Sequence, residues 1–206
     1  MAKQKEGVYE RIIQCAAREF LEKGYTDASL RTIAAEADTS TNSIYVRFGD
    51  KEGLFAAIVE PVYKEFLARV LDIQETFHGF SSDEQRARVG QYSTEGLLRL
   101  LDYIYAHFDE FRLLLDASHG TRFCNFVDEL VSIEENYTRK WLDATNSRLE
   151  LEGELPAEFF HMMVTSYFEG IFEIVRHEMS LENAKKYVAM MSRYHHAGFL
   201  AIIGDK

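Results

Sequence analysis

The chain has 206 residues, of which 47% are hydrophobic and 13% aromatic, enough to bury one large core or a small core joined to a larger one. Two prolines and long runs of helical periodicity favour helices and argue against a β-sandwich, a fold that needs frequent turns. No apolar run reaches the roughly 18 to 20 residues of a membrane span, and the N-terminus lacks the apolar core of a signal peptide. We therefore predict an all-α protein of the cytoplasm that makes no membrane contact.

The net charge of −11 opposes a nucleic-acid partner, because phosphate contacts need Lys and Arg. The acidity is unevenly distributed, however. Residues 1–51 hold 8 basic and 8 acidic residues, whereas residues 52–206 hold 15 basic and 26 acidic residues. The N-terminal segment is neutral, so a local basic face remains possible there.

Three short helices are predicted at the N-terminal end. The first covers "VYERIIQCAAREFLEKGY" and stops at Gly24, and Ser29 and Ser40 are the predicted N-caps of the second and third. Asp50 is the predicted cap of a fourth, connecting helix. The residues predicted to form the core of this segment are Ile33, Ala34, Ile44 and Phe48.

Helical periodicity continues through the rest of the chain. The connecting helix runs towards Phe77 with Pro61 as a candidate kink, and residues 78–84 are a predicted loop. Later helices are predicted over residues 83–118 with an interruption near Asp109, over 122–151, over 156–179 and over 181–203. We predict about nine helices in two domains, a DNA-binding domain over residues 1–50 and a ligand-binding and dimerisation domain over residues 51–206.

The second and third short helices are separated by a tight turn, and the third is polar on its outer face. This arrangement indicates a helix-turn-helix. The turn needs a left-handed backbone, for which Gly is best suited and Asp or Asn next, and Asp38 occupies that position.

The run "IIQCAAREFLEKGYTDASLRTIAAEADTSTNSIYVRFGDKEGLF", from Ile12 to Phe55, resembles the tetracycline-repressor (TetR) family of transcriptional regulators. It follows the family pattern of an apolar helix, Gly-Tyr, a Ser cap, Ile-Ala, a turn, Ser, an Ile-Tyr pair, Phe, Lys-Glu and Leu. It departs from the pattern at Asp38 and Thr39, where the family has Gly and an apolar residue, and at Gly53, where an acidic residue is common.

The resemblance assigns the DNA-facing surface of the third helix to Thr41, Asn42, Ser43, Tyr45, Val46 and Arg47. Their chemistry is suited to reading bases. An Arg47 guanidinium can donate two bonds to guanine, Asn42 can read an adenine edge, and Val46 can pack on a thymine methyl.

Other residues are suited to the DNA backbone. The hydroxyls of Ser43 and Tyr45 suit phosphate oxygens, and Ser29 and Lys51 lie near helix N-termini, which favour phosphate. Arg31 matches a family position that reaches a base. The alternative is that these are solvated polar residues of a small helical subdomain.

A single helix-turn-helix reads little sequence, so the prediction implies a two-fold dimer on a near-palindromic operator. Residues 159–175 are apolar around most of a helix, more than one core face can bury. The predicted interface with a second copy comprises Met163, Ser166, Gly170, Ile174, Met191, Tyr194, His195, Gly198, Phe199 and Ile202. The alternative is that both final helices are interior to a monomer.

The resemblance also implies a pocket for a small-molecule effector in the larger domain. The predicted lining is aromatic with polar tips, and comprises Tyr63, Phe66, Tyr103, His107, Phe111, Phe126, Trp141, His161 and Tyr167. Each of these is alternatively an ordinary core residue. The acidity of this domain favours a cationic or neutral effector.

The chain contains no phosphate-binding Gly loop, no nucleophile elbow and no zinc-protease motif, so we predict no catalytic residue, no metal and no cofactor. Glu134 and Glu135 are expected on ordinary helical surface, and Cys15 and Cys124 as small buried residues. Glu169, Glu173 and His177 share a helix face, which fits either a metal or solvated charges.

The sequence thus predicts a homodimeric, ligand-responsive, sequence-specific DNA-binding transcriptional regulator, expected to be a repressor released from its double-stranded operator by a small-molecule effector. The alternative function is an α-helical adaptor that does not bind DNA.

Overall fold

A computed structural model describes residues 7–146 and 157–203. These residues form nine α-helices and one π-helical turn, with no strand among them, which confirms the all-α prediction. The elements are α1 Val8–Asp27, α2 Leu30–Glu36, α3 Thr41–Phe48, α4 Lys51–His78, α5 Ser82–Ala106, α6 Phe108–Arg112, the π-helical turn Leu113–Ala117, α7 Phe126–Ala144, α8 Ala157–Arg176 and α9 Leu181–Ile203. None of the helices in the described ranges has the length and apolarity to cross a membrane.

Several helix ends lie where local sequence signals predict them. Gly24 has φ 71° and ψ 168°, a backbone that only glycine adopts readily, and it ends the regular part of α1. The Asp50 carboxylate accepts a 2.7 Å hydrogen bond from the Gly53 amide and caps α4. The Ser180 hydroxyl accepts from the Asn183 amide at the start of α9.

Two predicted boundaries are wrong. The loop after α4 is shorter than residues 78–84, because Ser81 and Glu84 form a reciprocal capping box and α5 begins at Ser82. The helix predicted from Arg122 begins only at Phe126, because the preceding residues form turns that hydrogen-bond back to Ser118. Residues 147–151 and Pro156, where further helix was predicted, lie outside the described residues.

One compact unit contains the described residues up to Glu65 together with His107–Asn125. Within it α1 packs against α2, α6 and the π-helical turn. Phe20 and Phe55 are fully buried and meet edge to face with ring centroids 5.1 Å apart, and Phe111 is fully buried in the same unit. This unit therefore contains α1, α2 and α3 together with the returning segment that packs against α1.

The other compact unit contains Phe66–Ala106 and the described residues from Phe126 onward. Here α5 packs along α9, and α7 packs along α8. A Cβ on Gly90 would lie 2.7 Å from the His196 ring, so glycine permits the close approach of α5 and α9. The compact units divide the chain differently from the predicted functional boundary at residue 50, which stays a prediction.

Candidate nucleic-acid interface and internal cavity

The segment α2–turn–α3 is held by a complete set of local caps. The hydroxyls of Ser29 and Ser40 accept hydrogen bonds from the amides of Thr32 and Ser43, as expected for N-caps. Asp38 has φ 49°, the left-handed conformation predicted for the turn. These bonds satisfy first-turn amides in both helices and fix where each helix begins.

Apolar residues on the inner faces of α2 and α3 set the angle of the motif. Ile33 and Ile44 are fully buried, and Ala34 and Ala37 are buried beside them. The Thr39 amide donates a 2.9 Å bond to the Ala34 carbonyl, which closes the turn. The buried inner faces of α2 and α3 and the bond that closes the turn therefore fix the orientation of the outer face of α3.

The outer face of α3 exposes apolar and amphipathic side chains of a kind that is usually buried in a protein core. Tyr45 is 52% exposed and Val46 is 75% exposed, and Asn42 is exposed on the same short helix. Arg31 of α2 is also exposed. Large apolar or amphipathic side chains held in solvent on a capped helix are typical of a binding surface.

Arg47 is folded back onto the first turn of α3. Its Nη1 donates a 3.1 Å hydrogen bond to the Ser43 carbonyl and a second bond to the Ser43 hydroxyl. These two bonds use Nη1 alone, and a guanidinium carries three further N–H donors on Nε and Nη2.

Lys51 has partners within its own unit. Its Nζ donates to the carbonyls of Thr26, at 2.9 Å, and Ala28, at 2.8 Å, and lies 4.8 Å from the centroid of the Tyr25 ring. Burial lowers the pKa of the Lys51 ammonium. An ammonium has three N–H donors, so these two bonds leave one donor for a phosphate.

Glu19 of α1 is a positioning residue that the sequence analysis missed. It is 4% exposed, and its Oε1 accepts bonds at 3.0 Å from the Ser29 amide and from Lys23 Nζ. Burial alone would raise the pKa of this carboxyl, but the bonds from Ser29 and Lys23 outweigh burial, and the pKa is lowered. Glu19 and Lys51 thus hold the connection between α1 and α2 from two sides. An acidic residue on the apolar stripe of α1 is the signal that could have identified it.

The second unit encloses a cavity of about 200 Å³ between α4, α5, α7, α8 and α9. Three of the residues predicted to line a pocket line this cavity, namely Phe66, Trp141 and Tyr167. The other six lie elsewhere.

Three of those six belong to the first unit, Tyr63 because that unit includes α4 up to Glu65, and His107 and Phe111 because the chain returns there after α5. Tyr63 packs against Phe123 with ring centroids 5.4 Å apart, Phe111 is fully buried in the core, and His107 lies at the N-cap position of α6. None of the three lines the cavity of the second unit.

The remaining three lie in the second unit but outside the cavity wall. Tyr103 and Phe126 pack around Phe66, with ring centroids 6.2 Å and 5.9 Å from it. His161 is exposed, and its Nδ1 lies 3.1 Å from a carboxylate oxygen of Glu135. Tyr103 and Phe126 thus contact a residue that lines the cavity, and none of the three lines the cavity itself.

Glu134 is the main polar group of the cavity wall that the sequence analysis missed. It was expected on ordinary helical surface, but its carboxylate faces the cavity and accepts a 2.8 Å bond from Gln74 Nε2 and a bond from the Thr138 hydroxyl. Burial raises the pKa of this carboxyl. Glu134 lies seven residues before Trp141, on the same face of α7, and this spacing could have predicted its position.

The α8 and α9 walls of the cavity add further polar atoms. The Tyr167 ring lies 4.3 Å from the His195 ring between centroids, and a hydrogen bond joins its hydroxyl to Ser192. Burial and the nearby carboxylate of Glu134 raise the pKa of the Tyr167 hydroxyl. Trp141 is 3% exposed, and its indole N–H has no hydrogen-bond partner among the described residues.

The residues predicted for a dimer interface divide into three groups. Ser166, Tyr194 and Gly198 are exposed, and Ile174 is fully buried inside the subunit. The others are partly exposed, and comprise Met163, Gly170, Met191, His195, Phe199 and Ile202. Of these, Met163, His195 and Phe199 line the cavity, and Met191 packs over Gly170 within the subunit.

The acidic row on α8 is occupied by ion pairs. Arg176 donates to Glu169 at 2.7 Å and to Glu173 at 3.0 Å, and His177 lies 3.0 Å from Glu173. Among the residues that the structure describes, no group of three or more His, Cys, Asp or Glu side chains has a metal-binding arrangement.

The two cysteines differ in exposure. Cys15 is buried, as expected, but Cys124 is exposed, because it lies in the turns before α7 and outside the core. The prediction that both are buried is wrong for Cys124.

The geometry of α1–α3 is that of a helix-turn-helix domain. The sequence model of the tetR family of bacterial regulatory proteins matches residues 12–58. The chain is 38% identical over 80 residues to the uncharacterized HTH-type transcriptional regulator YvdT of Bacillus subtilis (strain 168), a match that covers 38% of this chain and 39% of that one. It is 32% identical over 142 residues to the HTH-type transcriptional repressor SCO4008 of Streptomyces coelicolor, which covers 68% of this chain and 64% of that one. The matches thus span less than two thirds of the length of these curated relatives.

Solved structures share the fold. A transcriptional regulator of the TerR/AcrR family from Aquifex aeolicus VF5 has a TM-score of 0.57 at 18% identity and covers 89% of this chain and 96% of that one. A TetR-like transcriptional regulator from Rhodococcus sp. RHA1 has a TM-score of 0.56 at 20% identity and covers 95% of this chain and 100% of that one. Residues 12–58 thus match the tetR family of bacterial regulatory proteins, as the resemblance over the N-terminal helices implies. The relatives are transcriptional regulators and not enzymes.

Proposed function

We propose that the protein is a homodimeric transcriptional repressor of the cytoplasm that binds a near-palindromic DNA operator and leaves it when a small molecule occupies the cavity. The observation that carries the proposal is the outer face of α3, where Tyr45 and Val46 are exposed on a helix capped by Ser40. This face lies inside the segment that matches the family. The relative SCO4008 is named a repressor, which supports that direction of control.

On α3 we assign base contacts to three residues. Arg47 donates to guanine, Asn42 reads an adenine edge, and Val46 packs on a thymine methyl. The hydroxyls of Ser43 and Tyr45 bind phosphate. Further contacts are assigned to Ser29, Arg31, Thr41 and Lys51.

A second copy of the chain is the proposed partner of α8 and α9. Both helices present apolar residues to solvent: Met162 is 66% exposed, Met190 is 70% exposed and Tyr194 is 74% exposed. Met190 and Tyr194 are four residues apart and share one face of α9. Two such helices from each copy would form a four-helix bundle that buries both faces. Ile174 has no exposed surface to contribute, so Met162 and Met190 replace it in the proposed interface.

The cavity of the second unit is the proposed effector site. One helix, α4, begins with Lys51 beside the helix-turn-helix and ends with Phe77 and His78 in the cavity wall. Effector binding and operator binding would then be coupled by about 1–3 kcal/mol, and each ligand would weaken the other.

A gel-shift experiment tests the DNA-binding proposal on fragments from upstream of the protein's own gene, with unrelated DNA as competitor. We expect selective, salt-sensitive binding. Arg47→Ala should weaken it by about 1–3 kcal/mol and relax one operator position, since a bidentate base contact is lost. The matched control is Arg18→Ala, which removes an exposed arginine of α1 whose partner is Glu36, 3.4 Å away. Equal effects of the two variants would contradict the base contact, and no selective binding at low salt would favour the adaptor.

Sedimentation equilibrium tests the dimer. Tyr194→Glu places a charge on the exposed face of α9 and should shift the protein towards monomer. Leu71→Glu is the control, because Leu71 is 39% exposed and lies on α4, a helix that is not part of the proposed interface. A parent protein that is monomeric at micromolar concentration would refute the proposal.

A further inference from the structure

The charged groups of the cavity are of one sign. Among the described residues that line it, Glu134 is the only acidic side chain, and neither Lys nor Arg is present. His78, His195 and His196 also face the cavity, and burial lowers the pKa of each, which keeps them neutral near pH 7. An anionic ligand would therefore meet no fixed positive charge there.

Glu134 is partly satisfied by the protein. Gln74 donates a 2.8 Å bond to its Oε2, and the Thr138 hydroxyl donates a further bond. A carboxylate accepts about four hydrogen bonds, so the group retains acceptor capacity. Burial raises the pKa of this carboxyl. A cation that also donates hydrogen bonds is its strongest complement in such a site, because the paired charge lowers the pKa again and keeps the carboxylate ionised.

Trp141 supplies the second polar contact. Its indole N–H is buried and unpartnered in the described part of the chain, and a buried donor without an acceptor is costly. Trp141 lies two helical turns beyond Glu134 on α7, a rise of about 10 Å. An oxygen acceptor on the ligand would satisfy this donor at a distance from the carboxylate.

The remaining lining is largely aromatic and aliphatic. Phe66, Phe77, Phe160, Phe168 and Phe172 line the same cavity as the two polar contacts. Such walls remove apolar surface of a ligand from water, and their faces attract a nearby cation.

We propose that the cavity binds an elongated lipophilic monocation whose ammonium pairs with Glu134 and whose oxygen acceptor meets the Trp141 N–H. This inference rests on the proposed function, since it names the chemical class of the effector that the regulator would sense.

Calorimetric titration of the full chain in the absence of DNA tests the charge. The probes are 4-phenoxybutylamine, 4-phenoxybutan-1-ol and 5-phenoxypentanoate, which share a phenoxyalkyl body and differ in the charge of the terminal group. We expect the amine to bind about tenfold or more tightly than the alcohol, with the carboxylate weakest. Equal binding of the three, tightest binding of the carboxylate, or no detectable amine binding at millimolar concentration would overturn the proposal.

Matched carboxylate variants locate the contact. Glu134→Gln should reduce amine affinity by about tenfold or more while leaving alcohol affinity unchanged, because the charge pair is lost. Glu135→Gln, which removes the adjacent carboxylate beside His161, should leave both affinities unchanged. Circular dichroism confirms that each variant is folded. An amine preference that survives Glu134→Gln would refute the assignment.

The acceptor contact is tested by a pair of amines. The parent should prefer 4-phenoxybutylamine to 5-phenylpentylamine, in which a methylene replaces the oxygen, by roughly fivefold. Trp141→Phe should abolish this preference, and retention of it would overturn the role of Trp141. Binding of the amine without release of the operator complex would leave the ligand class standing and refute only the effector-controlled part of the proposed function.

Discussion

Replacing Lys51 by Met would remove the ammonium that holds the connection between α1 and α2, while keeping most of the aliphatic stem. The ammonium donates bonds of 2.9 Å and 2.8 Å to the carbonyls of Thr26 and Ala28. Hydrogen bonds to charged groups contribute about 1.5–3 kcal/mol when well buried, and the contact with the Tyr25 ring adds about 0.5–1 kcal/mol. Because the bond to Thr26 is exposed, we count only the bond to Ala28 and the ring contact, each at the lower end of its range, and expect a loss of about 2 kcal/mol.

Urea unfolding followed by circular dichroism measures this loss, with Lys64→Met as the matched control. Lys64 lies on the same helix, is exposed, and pairs with Glu60 four residues earlier, an interaction that contributes about 0.3–0.5 kcal/mol. Lys51→Met should therefore unfold at clearly lower urea than Lys64→Met. Identical unfolding midpoints would refute the structural role of Lys51. If the third N–H of Lys51 contacts a phosphate, Lys51→Met should also reduce the slope of log operator affinity against log salt concentration by about one.

Two further predictions concern the same unit. Asp38→Gly should stabilise the protein by about 1 kcal/mol, because glycine adopts φ 49° without strain, and should strengthen DNA binding by removing a negative charge. Asp38→Asn separates the effects, since it removes the charge and keeps a side chain, and equal thermal stability of the two variants would contradict the strain argument. The lowered pKa of Glu19 means that its ionised form stabilises the fold above the unfolded pKa and that this contribution is lost as pH falls through the folded pKa. The stability difference between the parent and Glu19→Gln should accordingly shrink on acidification in pH-dependent thermal unfolding, and a constant difference would contradict it.

Features fixed by neighbours in sequence could be predicted from the chain alone. The caps at Ser29, Ser40 and Asp50 depend on amides three residues away, and the backbone reversals at Gly24 and Asp38 depend on which residues tolerate positive φ. The periodicity of apolar residues then indicates which side of each short helix is buried. These local rules are sufficient to identify the helix-turn-helix.

Features fixed by distant contacts could not be predicted in the same way. His107 and Phe111 lie in the first unit because residues 107–125 return to it after a helix of 25 residues, and no periodicity encodes that return. That Glu134 takes Gln74 of α4 as its partner could not be predicted either, because 60 residues separate the two in sequence. Lys51 folds inward because two carbonyls of the α1–α2 connection point towards it.

The buried indole of Trp141, whose N–H lacks a hydrogen-bond partner among the described residues, has a practical consequence, because Trp141 is the only tryptophan in the chain. Its emission reports from the cavity wall without any label. Excitation at the red edge of indole absorption, where phenoxy groups are transparent, would show a polar molecule entering beside it as a change in colour or intensity. The intrinsic fluorescence of Trp141 can therefore report whether a ligand occupies the cavity, which is suited to screening chemical libraries without a label.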